Sequence, residues 1–153
     1  MASRFAAVMT ICVFGFAGIA QEKPKDDSLL VQGSWEWDPA AKQSDAKPVV
    51  LLEQIVIKDD SLTFHYITGG KKFNTATKFK LDAIAAPKEI DFTPTDKENA
   101  NTGKPYLGLY EIKAGRLMIC YRGPGSSRPK SFLDMSDGTD VTTFIVLKPS
   151  PGA

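Results

Sequence analysis

The residues of this chain whose side chains could do chemistry are few: one histidine, a group of acidic residues around one loop, two arginines bracketing another loop, and an isolated cysteine. His65 lies in Leu62-Thr63-Phe64-His65-Tyr66-Ile67. Phe64 and Tyr66 take one face of a strand there, so His65 points outward beside Thr63. A zinc site needs several His, Cys or carboxylate ligands, and there is no second histidine to share one. No Gly-x-Ser-x-Gly turn surrounds any serine, so a Ser-His-Asp hydrolase is not indicated. Asp91, Asp96 and Glu98 flank the Pro94–Pro105 loop and offer oxygens to a hard cation. Their spacing does not match a calcium-binding loop, and a strand that ends at Pro94, with Asp96 capping the turn, accounts for them better. Arg122 and Arg128 bracket Gly123-Pro124-Gly125, where an anion is a candidate ligand. Cys120 is reactive only if a neighbouring cation lowers its pKa. No such neighbour follows from the sequence, so Cys120 reads as a small buried hydrophobe. Acid, base and nucleophile do not converge anywhere. The expectation is a protein that is not an enzyme, with no metal site and no cofactor.

The elements that must position these residues begin after residue 20. Arg4 and the apolar stretch Phe5 to Ile19, ending in Gly18-Ile19-Ala20, have the layout of a signal peptide cleaved before Gln21. The stretch is short for a membrane span, which needs about 20 apolar residues, and Ile11 before Cys12 makes a poor lipid-anchor site. The expected protein is therefore exported to the periplasm or beyond, with no transmembrane segment in the mature chain. Removing residues 1–20 takes away Arg4 and Cys12, leaving 18 basic and 18 acidic side chains and a single cysteine. Balanced charge gives no electrostatic footprint for nucleic acid or anionic lipid. One cysteine excludes a disulfide framework within the chain.

Gln21 to Asp27 is polar and reads as a flexible tether, and Ser28 to Gln32 as one helical turn across a barrel end. Residues 28–150 form one domain. Strands are predicted at Ser34–Asp38, Val49–Lys58, Leu62–Ile67, Phe73–Leu81 and Glu89–Thr93, then at Tyr106–Ile112, Leu117–Arg122, Ser131–Met135 and Val141–Lys148. Asp59-Asp60, Gly69-Gly70, Ala114-Gly115 and Asp137-Gly138 stand between apolar runs as two-residue hairpin turns, which makes consecutive strands antiparallel. Phe79 and Leu81 share a face opposite Lys78 and Lys80, as Ile90 and Phe92 do opposite Glu89 and Asp91, so one face is buried. Tyr106–Ile112 and Phe144–Leu147 are apolar on both faces and should be covered on both sides. A closed or nearly closed all-β meander of eight or nine strands satisfies these patterns.

Beyond these patterns, the chain resembles a family of small exported lipocalin-like domains, abundant in planctomycete bacteria and of unknown function. The resemblance starts at Leu30-Val31-Gln32-Gly33-Ser34-Trp35 and runs through Phe79-Lys80-Leu81-Asp82 and Pro87 to Asp96. It is strongest at Gly103-Lys104-Pro105-Tyr106-Leu107-Gly108-Leu109-Tyr110-Glu111-Ile112. It continues through Leu117-Met118-Ile119-Cys120 and Arg128-Pro129-Lys130-Ser131-Phe132 to Thr143–Lys148. The segment Glu36–Pro48 departs from the pattern and shortens the expected first strand. The resemblance implies an up-and-down lipocalin-like barrel in which Trp35 closes one end, with no catalytic residues to carry over. Ligand binding follows from fold analogy alone. A small apolar or amphipathic molecule would meet Trp35, Phe79, Leu81, Phe92, Tyr106, Tyr110 and Tyr121. The alternative is a cell-envelope interaction or structural module with a filled barrel.

Overall fold

The computed structural model describes residues 26–41, 50–134 and 141–151. The expected signal peptide and the Asp137-Gly138 turn lie outside the described residues. A one-turn helix, α1 (Asp27–Leu30), precedes β1 (Gly33–Trp37), a 3-10 turn (Pro39–Ala41), β2 (Val50–Lys58), β3 (Ser61–Thr68) and β4 (Lys71–Asp82). Then come β5 (Glu89–Pro94), β6 (Tyr106–Lys113), β7 (Arg116–Arg122) and β8 (Thr142–Pro149). Each strand pairs antiparallel with the next and β8 returns to β1, closing an eight-stranded barrel. Trp35 marks the seam, opposite Ile55 of β2 on one side and Pro149 of β8 on the other. The hairpin turns fall where two-residue loops were expected. At Gly69-Gly70 and Ala114-Gly115 both central residues have positive φ, the geometry that matches strand twist.

Alternation built these strands. In β5, Ile90, Phe92 and Pro94 are buried while Glu89, Asp91 and Thr93 between them are not. The inward residues of one half of the barrel pack into one buried cluster, with Ile55, Leu62, Ile119 and Leu147 fully buried.

α1 caps that half. Asp26, its N-cap, accepts from Ser28 N at 3.1 Å, satisfying one of the free donors of a helix start. Trp35 Nε1 donates to the Val31 carbonyl at 2.8 Å, tying the helix end to β1. The Gln32 amide donates to the carbonyls of Ser28 and Asp59 and accepts from Asp59 N at 2.8 Å, fastening the cap to the β2–β3 turn. Gly33 turns the chain from helix to strand at φ +120°, a conformation that side chains with a Cβ rarely adopt. That requirement explains the glycine of Gly-x-Trp. Asp27 was expected to end a flexible tether. Instead it is buried, accepting from Tyr110 Oη at 2.7 Å and from Lys88 Nζ at 2.6 Å.

The outer face of β6–β8 is also covered, as its doubly apolar pattern requires. Leu109, Cys120 and Val146 have the outward parity and are nonetheless buried. The segment from Gly123 to Asp134 crosses over them. Pro129 is fully buried, and the Phe132 ring meets Phe144 edge-on at 6.0 Å. Ser131–Met135 is therefore not a ninth strand. Its described residues, Ser131 to Asp134, form a turn with a 3.1 Å bond from Asp134 N to Ser131 O. β7 already pairs with β8 and β8 with β1, so no open edge remains for another strand.

Beneath this strap, burial pushes the Cys120 thiol pKa up, the Arg122 guanidinium opposes that and Asp134 adds to it. A thiol that is buried and protonated is a poor nucleophile. Native protein should resist iodoacetamide at about pH 8 and be alkylated only once denatured. Rapid labelling of native protein would mean that the strap opens.

Candidate functional site: an aromatic cavity in the barrel

The half of the barrel away from the Trp35 cap is not filled. It holds a half-open cavity of about 530 Å³, to which every strand contributes. Trp37 comes from β1, Leu51 and Leu52 from β2, Phe64 and Tyr66 from β3, and Thr75 from β4. Phe92 and Pro94 come from β5, Tyr106 from β6, Tyr121 from β7, and Thr143 and Ile145 from β8. Leu52 reaches the interior through an irregularity. The β2–β3 register shifts between Leu52 and Gln54, so a strict two-residue period from Ile55 and Ile57 does not carry to it.

Phe92 is the hub of the walls. Its ring lies nearly parallel to Tyr106 with centroids 5.2 Å apart, edge-on to Tyr121 at 4.9 Å and tilted against Phe64 at 5.4 Å. Such pairs contribute about 0.5–1.5 kcal/mol each beyond their buried area. Asn101 Nδ2 donates to Tyr106 Oη at 2.8 Å and holds that ring in place. Asn101 belongs to the Thr95–Pro105 loop, which is bonded to itself. Asn101 N donates to Asn99 Oδ1 at 2.8 Å, Glu98 N to Asp96 Oδ1 at 3.3 Å, and the Thr102 hydroxyl lies on the carbonyls of Asp96 and Asn99. Asn99 of this loop also lines the cavity.

The polar groups on the walls are neutral. Tyr66 Oη and Thr75 Oγ1 are 3.4 Å apart. Burial raises the Tyr121 pKa, although contact with the Thr143 hydroxyl opposes it. No Asp, Glu, Lys or Arg is among the described lining residues.

The other expected chemical groups lie elsewhere. Arg122 is buried, its Nε donating to Thr142 Oγ1 at 2.9 Å and its Nη2 to Asp134 Oδ1 at 3.1 Å. Arg128 donates to the Gly108 carbonyl at 2.7 Å and pairs with Glu89 at 3.0 Å. Asp91 Oδ1 is 2.7 Å from Arg128 Nη1 but out of line for a hydrogen bond, so that contact is one of charge. Both guanidiniums are engaged within the protein, which removes the anion site proposed between them. Asp91 thus faces Arg128, and Asp96 caps its own loop. His65 lies on the outside, in a shallow groove with Glu36, Glu53 and Lys72. The carboxylates of that groove pair with Lys148 at 3.0 Å and Lys72 at 3.2 Å.

No family model, curated protein or solved structure matches this chain. The cavity must therefore speak for itself. Of the seven residues expected to meet a ligand, it brings together Phe92, Tyr106 and Tyr121. Trp35, Phe79, Leu81 and Tyr110 are not among the cavity-lining residues and lie in or against the buried core. Trp35 is turned to Val31 and Tyr110 to Asp27. Trp37, Phe64, Tyr66, Thr75 and Thr143 share the parity of inward residues on their own strands, whereas Leu52 and Asn99 carry no such signal.

Proposed function

We propose that the protein is an exported lipocalin-like carrier that holds one small apolar or amphipathic molecule in the uncapped half of its barrel, binding it without chemical change. The observation that carries this reading is the 530 Å³ cavity walled by aromatic side chains. Its volume falls within the range of about 300–1,000 Å³ that holds small molecules. The walls offer hydroxyl and amide groups for orientation and apolar area for affinity. At about 25 cal/mol per Å², a ligand burying roughly 300 Å² of apolar surface gains about 7.5 kcal/mol, from which the loss of its translational and rotational freedom is subtracted. Export rests on the N-terminal sequence pattern, and the family resemblance supports both fold and compartment.

Native mass spectrometry of the protein recovered from its own envelope tests the proposal. A retained small mass is expected, and Thr75→Trp, which fills the cavity, should abolish it. Recovery of bare monomer, together with a tryptophan fluorescence that ignores lipid and aromatic probes alike, would end the carrier reading. Recovery of a protein adduct instead would favour an envelope module.

A further inference from the structure

The cavity walls narrow the class of ligand. In a closed eight-stranded barrel, β1 and β5 are four strands apart in either direction, so Trp37 and Phe92 stand on opposite walls. On the β5 side the Phe92 and Tyr106 rings are inclined by only 8° with centroids 5.2 Å apart, an offset stack in which one ring partly covers the other, braced edge-on by Tyr121. The stack is set in advance, because Asn101 fixes Tyr106 through its hydroxyl. Pre-ordered walls lose little side-chain freedom when a ligand enters. Aromatic rings gain from offset or edge contact with other aromatic rings beyond the area they bury, which an alkyl chain cannot match.

Charge gives the second restriction. An ion placed among these walls would leave water with no counter-ion among the described lining residues, which is strongly unfavourable. Hydrogen-bonding capacity gives the third. A hydroxyl has one donor and two acceptor positions, and the long 3.4 Å contact between Tyr66 and Thr75 leaves capacity for another partner.

We infer that the ligand is a neutral, planar aromatic molecule with a hydroxyl at one edge, lying between Trp37 and the Phe92–Tyr106 stack with that edge toward Tyr66 and Thr75. This rests on the carrier reading. Fatty acids fit less well, because their carboxylate would have to stay at the mouth and their chain has no flat face to offer.

Isothermal calorimetry on the purified protein with naphthol, naphthalene, dodecanol and laurate separates the two proposals. Naphthol should bind tightest, with dodecanol and laurate at least about tenfold weaker. Thr75→Val should weaken naphthol by roughly fivefold while leaving naphthalene within about twofold. Dodecanol or laurate binding more tightly than naphthol would overturn this inference and leave the carrier reading standing. An equal loss for naphthol and naphthalene in the variant would overturn the assignment of the polar edge. If none of the four binds, both proposals fall. Should Thr75→Val not fold, Tyr66→Phe provides the same comparison.

Discussion

Replacing Gly108 by alanine is expected to destabilise the protein by about 3 kcal/mol, the upper part of the usual range for overpacking. Gly108 faces the interior of β6 between Ile90 and Tyr121, its Cα partners on β5 and β7. A Cβ there would lie 2.8 Å from the Cys120 carbonyl oxygen, 2.9 Å from Tyr121 Cβ and 3.3 Å from Ile90 Cγ2. The first two atoms cannot swing aside as the end of a flexible side chain can, so β7 would have to move away from β6. That movement would also disturb the 2.7 Å bond from Arg128 to the Gly108 carbonyl, which helps hold the outer strap. Alanine is less flexible than glycine in the unfolded chain, but that gain is only about 0.4–1 kcal/mol. The clash wins. Thermal unfolding should show a Tm roughly 10 °C lower, and Tyr121 should be displaced on the cavity wall. Stability within about 0.5 kcal/mol of the parent would mean that β6 and β7 can separate more freely than their ladder implies.

Asp27→Ala is expected to cost a comparable amount, about 3 kcal/mol, and to change the response to acid. The Asp27 carboxylate takes hydrogen bonds from Tyr110 Oη at 2.7 Å and from Lys88 Nζ at 2.6 Å. Its removal leaves the hydroxyl of Tyr110, itself 1% exposed, without its partner, and an orphaned buried donor costs about 1–3 kcal/mol. The lysine contributes less than its distance suggests, because its side chain is 44% exposed and water screens the pair. Burial works against the Asp27 charge, yet the bonds from Lys88 and Tyr110 outweigh it and hold the pKa below the ordinary aspartate value. Burial first, and then the Asp27 carboxylate, push the Tyr110 pKa far up, so Tyr110 remains a donor.

The sign of the pH effect follows. A carboxylate with a depressed folded pKa adds stability above its unfolded value, about 3.9, and that stability is lost as pH falls through the folded value. Parent and Asp27→Ala unfolding curves should differ by a constant amount near neutrality and converge below about pH 4. Tyr110→Phe in the Asp27→Ala background should recover part of the loss, since no orphaned hydroxyl remains. A pH-independent difference between parent and variant would place the effect in lost packing rather than in the carboxylate.

Most of the barrel was legible in the sequence because local rules suffice for it. Asp59-Asp60, Gly69-Gly70 and Ala114-Gly115 can only reverse the chain, and the alternation in Lys78–Asp82 and Glu89–Thr93 assigns one face to the interior. Ser131–Met135 misled because the apolar pair Phe132-Leu133 between Ser131 and Asp134 resembles a short strand. Its burial comes from lying across the outside of β8, where Phe132 meets Phe144. Asp27 misled in the opposite way. In Lys25-Asp26-Asp27-Ser28 nothing local marks one of two adjacent aspartates as buried, and its partners Lys88 and Tyr110 lie 61 and 83 residues further along the chain.

Taken alone, the sequence determined an all-β chain of antiparallel strands, which inward faces it would have, and the need for a cover over both sides of β6 and β8. Only the tertiary structure decided which inward residues are packed and which border empty space. Trp35 and Trp37 share a parity, yet Trp35 lies against the α1 cap and Trp37 faces the cavity. Parity is a property of one strand, repeating every two residues. Depth inside a barrel depends on the registers of all eight strands and on what closes each end, and no single segment carries that information.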